Sequence, residues 1–141
     1  MKNRNPLTKL TLLFAVLLTL GAARVQADIL PGVSISFAPV GLTMDQTARL
    51  NLVNVGVPNG MLIYWSFIDA NGFPIAGSTV TLPLGQIVSF DFRRPRDSQL
   101  RAEVRAQVDI FTDSSDSLRR SLEVFNNDTG ATIVFVDGGT P

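Results

Sequence analysis

Carboxylates are the main source of chemistry in this sequence, because the usual nucleophiles and bases are missing. Its 141 residues include no histidine and no cysteine, and both lysines lie within the first nine residues. Beyond that point the Ser-His-Asp, Cys-His and Ser-Lys nucleophile systems cannot be built. Zinc and copper sites based on imidazole or thiolate are excluded as well. Aspartate and glutamate remain, for carboxylate catalysis or for binding hard cations.

Asp128 begins the tetrapeptide Asp128-Thr129-Gly130-Ala131, which is similar to the catalytic signature of aspartic proteases. In that family apolar residues precede the aspartate and a long section of the catalytic fold follows it. Here Asn126 and Asn127 precede it, and 11 residues follow Gly130. Because Asn, Asp and Gly also suit a hairpin turn, we predict a turn here and no catalytic residue.

An acidic, serine-rich segment holds the candidate metal ligands Asp109, Asp113 and Asp116. A calcium loop needs about six oxygen ligands at fixed spacing, usually with one bidentate carboxylate. A solvated polar loop is the simpler interpretation of the same residues.

Arginines cluster in the same half of the chain, at Arg93, Arg94, Arg96, Arg101 and Arg105. Arg101 and Arg105 are four residues apart and share one face of a predicted strand. Guanidinium groups bind carboxylates and phosphates through paired hydrogen bonds, so these two are candidate ligands for an anionic group. Glu103 lies between them on that face, and ion pairing on a wet sheet surface explains the cluster equally well.

Tyr64 is the candidate glycan-binding residue, because sugars stack on aromatic rings. It is adjacent to Trp65, and neighbouring residues of a strand face opposite sides of the sheet. With Trp65 in the core, Tyr64 is expected on the other face.

The first 27 residues have the organisation of an export signal. Lys2, Arg4 and Lys9 precede an apolar run that ends before Arg24, and Val25-Gln26-Ala27 offers a cleavage site. The run is 14 residues long, whereas a membrane-spanning helix needs about 20. Cleavage before Asp28 would leave eight arginines against twelve acids, a net charge of −4. We therefore expect a secreted or periplasmic protein with no membrane span, and an acidic domain unsuited to nucleic acid.

Alternation of apolar and polar residues dominates residues 28–141, and it predicts strands. The clearest case is Leu100 to Phe111. Shorter strands are predicted over 33–37, 47–55, 61–69, 75–82, 86–92, 121–125 and 132–136. The expected fold is a single all-β sandwich domain of seven or eight strands, with a frayed tail over 137–141. The predicted core residues are Leu50, Leu52, Ile63, Trp65, Phe67, Val104, Val108 and Ile110.

The segment Ala48 to Gly56 resembles the second strand of bacterial immunoglobulin-like domains, including cell-adhesion-related ones. Trp65 is placed like the core tryptophan of those sandwiches. The chain from residue 28 onward also resembles small secreted bacterial β-sandwich proteins, in which a Thr-Ala-Arg-Leu-Asn strand precedes a segment like Ser121 to Phe125. The resemblance implies an immunoglobulin-like fold and no particular activity. The chain departs from the family by lacking a cysteine pair and a tyrosine corner.

Three kinds of function remain open at this stage. The first is an exported, non-catalytic structural or protein-interaction module of the cell envelope or secreted fraction, with no cofactor. The second is a ligand-binding module for a glycan, calcium or an anionic group, and a periplasmic chaperone-like role is a further alternative. A carboxylate-based hydrolase is disfavoured, because a small sandwich leaves little room for a cleft. The partner and the oligomeric state are left undecided by the sequence.

Overall fold

The computed structural model describes residues 32–94, 101–112 and 115–138. Within these ranges the chain forms strands, turns and a single 3-10 turn over Ser115–Ser117. The strands are β1 (Val33–Ser36), β2 (Val40–Leu42), β3 (Gln46–Asn54), β4 (Met61–Asp69), β5 (Pro74–Leu82), β6 (Ile87–Arg93), β7 (Ala102–Ile110), β8 (Leu118–Asn126) and β9 (Thr132–Asp137). The predicted export signal lies outside the described residues.

The strands form two antiparallel sheets. The first has the order β1-β7-β4-β5, with β2 also paired to β7, and the second has the order β6-β3-β8-β9. The long strand β7 pairs with β1 along one half and with β2 along the other. The Phe37 N–H still donates to the Ala106 carbonyl at 2.9 Å, and the ladder is interrupted after this residue. The expected all-β class is therefore confirmed, and the two sheets are consistent with a sandwich. The described residues include no helix long and apolar enough to cross a membrane.

The core consists of the inward faces of the two sheets. Seven of the eight predicted core residues, all except Trp65, are at most 2% exposed. Trp65 is only partly buried. Its ring stacks on Phe90 with centroids 4.0 Å apart and meets the edge of Phe67 at 6.0 Å. Trp65 thus bridges the two sheets near the border of the core, because β4 and β6 belong to different sheets.

The described part of the chain contains nine strands, where seven or eight were predicted. The additional strand is β2, whose three residues are too few for an alternation pattern to be recognised. Val40 and Leu42 are nevertheless buried, and β2 pairs antiparallel with Ala102 to Val104. The packing of two apolar side chains against β7 therefore fixes a strand that the sequence pattern did not predict.

Strand β8 begins three residues earlier than predicted, at Leu118 instead of Ser121. The alternation is hidden because Arg120 occupies an inward position, opposite Leu52, where an apolar residue is expected. Arg120 is buried, and its Nη1 donates a hydrogen bond to the Leu118 carbonyl at 3.2 Å. Burial lowers the pKa of Arg120 from its ordinary value.

Strand β9 extends to Asp137, which pairs with Ser121. The backbone N–H of Gly138 continues the ladder by donating to the Arg120 carbonyl at 3.1 Å. The remainder of the predicted tail, residues 139–141, lies outside the described residues.

Candidate functional site

Tyr64 and Arg105 lie on the same outer face of the first sheet but in different rows. Tyr64 is opposite Asp109, and Arg105 is opposite Ile68. Four residues along a strand correspond to about 13 Å, so these two candidate ligands do not converge on one small molecule. Arg101 precedes β7 and lies further away along the same strand direction. The structure therefore does not bring the three predicted ligand-binding residues together.

Tyr64 lies flat against the sheet instead of standing out from it. A Cβ atom on Gly77 would come within 2.9 Å of the Tyr64 hydroxyl, so the ring extends over this glycine of β5. Tyr64 is half-buried in this position. Its covered ring offers less stacking surface to a sugar than the sequence suggested.

The remaining arginines of the predicted cluster are dispersed. Arg93 is exposed at the end of β6, whereas Arg94 is buried. Arg101 lies across β2, because a Cβ on Gly41 would overlap its guanidinium group. Arg96 lies outside the described residues. Arginines that are neighbours in the sequence thus lie in different environments in the fold.

Arg105 lines an open depression of about 450 Å³ at one end of the molecule. The depression is formed by the β4–β5 turn, the β1–β2 connection and the start of β7, and Asp69 and Glu103 also contribute to it. Asp69 is committed to its own turn, since its Oδ1 accepts the backbone N–H groups of Asn71 at 2.9 Å and Phe73 at 2.8 Å. The hydrogen bond from Phe73 is the main reason why the pKa of Asp69 is lowered. This carboxylate therefore stabilises the turn.

The predicted metal ligands have separate structural roles where they are described. The Asp109 carboxylate accepts hydrogen bonds from the Ser34 hydroxyl and from Gln107 Nε2 on the outer face of the first sheet. Asp116 is exposed on the 3-10 turn, and Asp113 lies outside the described residues. Within the described ranges no group of three or more acidic side chains is placed to hold a metal ion.

Asp128 lies in the turn between β8 and β9, as the sequence predicted. The Asn126 side-chain oxygen accepts the backbone N–H groups of Asp128 at 2.9 Å and Thr129 at 3.0 Å. Gly130 completes the turn with a φ of +69°, a value that glycine adopts without steric cost. The Asp-Thr-Gly sequence thus forms a hairpin connection.

The outer face of the second sheet is polar and largely paired with itself. Arg49 forms two hydrogen bonds with Asp91, at 2.7 and 2.8 Å, and its guanidinium lies 4.8 Å from the centre of the Phe125 ring. Hydrogen bonding to Asp91 is the main reason why the pKa of Arg49 is raised. Asn51 links Ser89 of β6 to Ser121 and Glu123 of β8. These mutual bonds stabilise the sheet surface.

The two sheets have four edges within residues 32–94, 101–112 and 115–138, and three of these edges carry features that discourage the addition of another strand. Strand β6 has Asp91 and Arg93. Strand β5 begins with Pro74, and its pairing with β4 is bulged between Phe67 and Ile68. The edge formed by β1 and β2 is short and is interrupted between Phe37 and Val40.

The fourth edge, β9, has no charge before its last residue and no proline. Its side chains are apolar on both faces, and they are exposed to 53% at Ile133, 38% at Val134 and 63% at Phe135. The pairing with β8 is irregular opposite Phe125 and regular from Val134 to Asp137. An exposed apolar edge of this kind is a template for pairing with another chain.

The free backbone groups of β9 can be identified from the Gly138 hydrogen bond. In an antiparallel ladder, successive residues direct their N–H and C=O groups to opposite sides. Since Gly138 bonds to β8, Val136 and Val134 also face β8. Phe135 and Asp137 therefore direct their N–H and C=O groups to the open side.

Sequence reasoning predicted β9 as a strand and did not identify it as an exposed edge. The relevant signal is the continuous apolar run Ile133-Val134-Phe135-Val136 in the last predicted strand. Such a run is typical of a strand covered on both faces. Here the other described residues leave one edge and much of both faces of β9 uncovered.

A scan against models of known protein families finds no match to this chain, and a search of curated proteins finds no significant relative. The geometry described above is therefore the basis for any assignment of function.

Proposed function

We propose that the protein is an exported, non-catalytic interaction module that binds protein partners by adding a strand to β9. The observation that carries the proposal is a β9 edge to which no other strand of the described residues pairs, together with exposed apolar side chains on both faces of β9. In strand addition, backbone hydrogen bonds supply affinity and alternate side chains supply specificity. A small β-domain that has this unprotected edge among its described strands suits that mode of recognition.

The proposed non-catalytic character of the module is supported by its side chains. The sequence has no histidine or cysteine, and among the described carboxylates Asp69, Asp91 and Asp109 accept hydrogen bonds from neighbouring groups. Export is supported by the basic start, the apolar run and the cleavage site within residues 1–27. The module is accordingly assigned to the cell envelope or the secreted fraction.

The strand pairing supports an immunoglobulin-like fold with exchanged terminal strands. In immunoglobulin domains the second and fifth strands pair in one sheet, and the third and sixth pair in the other. Here β3 pairs with β6 and β4 pairs with β7 in the corresponding way. The late strand β8 takes the place of the usual first strand, whereas β1 and β2 take the place of the usual last strand. We propose that this exchange leaves β9 as an additional edge strand.

The test compares binding by the wild type with binding by two matched variants. Phe135→Lys places a charge on the β9 edge, and Phe73→Lys places one on an equally exposed phenylalanine, 63% against 67% exposed, beside the β4–β5 turn. Each protein is immobilised and exposed to envelope and culture-fluid fractions of the source cells. Bound proteins are then identified by mass spectrometry.

We expect the wild type and Phe73→Lys to retain a set of proteins that Phe135→Lys does not retain. The chain itself can be a member of this set. The same set of proteins retained by all three would overturn the proposal that β9 is the binding edge. Circular dichroism of each variant checks that the domain is folded before binding is compared.

A further inference from the structure

We infer that the partner seated on β9 is β9 of a second copy of the chain, paired antiparallel across a two-fold axis. This inference rests on the proposed function, and it names the occupant of the same edge. The two copies would form one continuous sheet in the order β6-β3-β8-β9-β9-β8-β3-β6. An isologous contact of this kind uses the same surface on both copies.

The side chains and free backbone groups of β9 fit a second copy of β9. A strand added to β9 must be apolar on both faces, because the exposed residues Val134 and Phe135 are neighbours in the regular part of the strand and face opposite sides. It must also accept and donate bonds to the free backbone groups of Phe135 and Asp137. Among the edge strands of the described residues, β9 itself meets these conditions. The other edges carry Asp91 and Arg93, Pro74 with Ser and Thr residues, or an interruption.

The pairing register follows from the alternation of faces. Residues directly opposite in an antiparallel pair share a face. The two-fold axis of a symmetric β9 pair must therefore pass beside a residue that is opposite itself, and not between two residues. If the axis lies at Val134 or at Phe135, five residues of β9 in each copy pair with β9 of the other copy. Both positions of the axis place Phe135 opposite an apolar partner, either Ile133 or Phe135 of the second copy.

Charge placement agrees with these two registers. In the register centred on Phe135, Asp137 lies opposite Ile133 of the second copy, and in the other register it lies opposite Ala131. The two Asp137 carboxylates are therefore kept apart, and no like charges are brought face to face. A register centred on Asp137 would place them together and would overlap fewer residues.

The proposed assembly closes on itself. A two-fold contact uses the β9 edge of both copies, so neither copy retains it for further addition. The sheet then ends at β6 on both sides, where Asp91 and Arg93 discourage growth. The product is a discrete dimer, which is the outcome expected for a module that must stay soluble with an apolar edge.

Sedimentation equilibrium provides the first test, with protein produced from the full chain and processed by the producing cell. We expect the wild type and Phe73→Lys to have twice the monomer mass at micromolar concentrations, and Phe135→Lys to have the monomer mass. A monomeric wild type up to about 100 µM, or a Phe135→Lys variant that remains dimeric, would overturn the inference.

Cross-linking tests the contact itself, and it does so cleanly because the chain has no cysteine. Residues on the axis have Cα atoms about 4.5–5.5 Å apart, which is within the range that a disulfide bridges. Under mild oxidation we expect either Val134→Cys or Phe135→Cys to form a covalent dimer in high yield. Phe73→Cys is the control and should remain monomeric on a denaturing gel.

The two proposals fail in different ways. A monomeric wild type whose captured proteins are lost in Phe135→Lys would overturn the inference and leave the interaction function intact. A dimer that cross-links at Phe73→Cys and at neither β9 position would also overturn the inference. A cross-linked β9 dimer supports it even when no other protein is captured.

Discussion

Asn54 illustrates how one polar side chain can organise a junction between strands. It is fully buried at the end of β3. Its amide nitrogen donates to the carbonyls of Val57 and Leu82, both at 2.9 Å, and its oxygen accepts the N–H groups of Gly56 and Val57. All of these partners are backbone groups, so Asn54 shapes the turn after β3 and attaches it to the end of β5. Buried polar groups contribute to stability when they are satisfied in this way.

We expect Asn54→Asp to lower the free energy of unfolding by about 2–4 kcal/mol at neutral pH. The substitution removes the donor for two buried carbonyls and buries a carboxylate. Asn59→Asp is the matched control, because Asn59 is exposed in the turn that follows β3. Urea denaturation followed by circular dichroism measures both. Equal losses in the two variants would contradict the role assigned to Asn54.

Asp69 gives a prediction about pH. Its pKa is lowered in the folded protein, first by the hydrogen bond from the Phe73 N–H. A lowered folded pKa means that the stabilisation is fully present above the unfolded value of about 4 and is lost as the pH falls through the folded pKa. We therefore expect Asp69→Asn to be less stable than the wild type at pH 7 and the difference to shrink below about pH 4. Thermal melts from pH 2 to pH 7 measure it, and a difference that grows on acidification would contradict this account.

At the scale of elements, β4 shows how far alternation determines burial. The inward side chains Ile63 and Phe67 are fully buried, whereas the inward Trp65 is partly exposed. The alternation predicts which face a side chain occupies. How deeply the side chains of that face are buried depends on where strands β3 and β6 of the opposite sheet cross it.

We expect Phe67→Ala to cost about 3–5 kcal/mol of unfolding free energy, which is typical of a fully buried aromatic residue. Trp65→Ala should cost less than Phe67→Ala, because part of its ring is already in water. Chemical denaturation followed by circular dichroism compares the two, since Trp65 is the single tryptophan and its variant has no indole fluorescence. A larger loss for Trp65→Ala would mean that its stacking on Phe90 outweighs the difference in burial.

Strand β8 shows why element boundaries were harder to predict than elements. Leu118, Leu122 and Val124 face inward with Arg120 among them. An arginine at an inward position breaks the apolar pattern that defines a strand in sequence. Its guanidinium is accommodated at the border of the core, where it bonds to a carbonyl and lies in the field of Asp137 and Asp116.

For the whole molecule, the proposed dimer makes stability depend on concentration. Anything that binds only the folded chain stabilises it by mass action. We expect the Tm of the wild type to rise by several degrees between about 1 and 100 µM, because a dimer unfolds to two separate chains. The Tm of Phe135→Lys should be constant over this range, as measured by differential scanning calorimetry and by fluorescence at the lower concentrations. A concentration-independent Tm for the wild type would count against a dimeric native state.

The structure separates the candidate ligand residues, for a physical reason. Arg101 and Arg105 were grouped by residue type and by nearness in sequence, whereas Tyr64 was chosen for its aromatic ring. Strand pairing then separated them, since each residue along a strand adds about 3.3 Å. The edge that carries the proposed function has no chemically distinctive residue. The edge is significant because none of the described strands pairs with it. Which strand lies at an edge is decided by the pairing of the whole sheet.

The sequence by itself determined the all-β class, most of the strands, the turns at Asp69 to Gly72 and at Asn126 to Gly130, and the inward faces. These are local properties, because alternation sets the face of a side chain and turn residues set the backbone dihedral angles within a few positions. The tertiary structure alone decided which strands lie at edges, how deeply Trp65 is covered, and that β2 and Arg120 join their sheets. Those outcomes depend on contacts between residues that are distant in sequence, such as β1 with β7 and β3 with β8. Many arrangements of the same strands satisfy the local pattern, and the packing of the two sheets selects one.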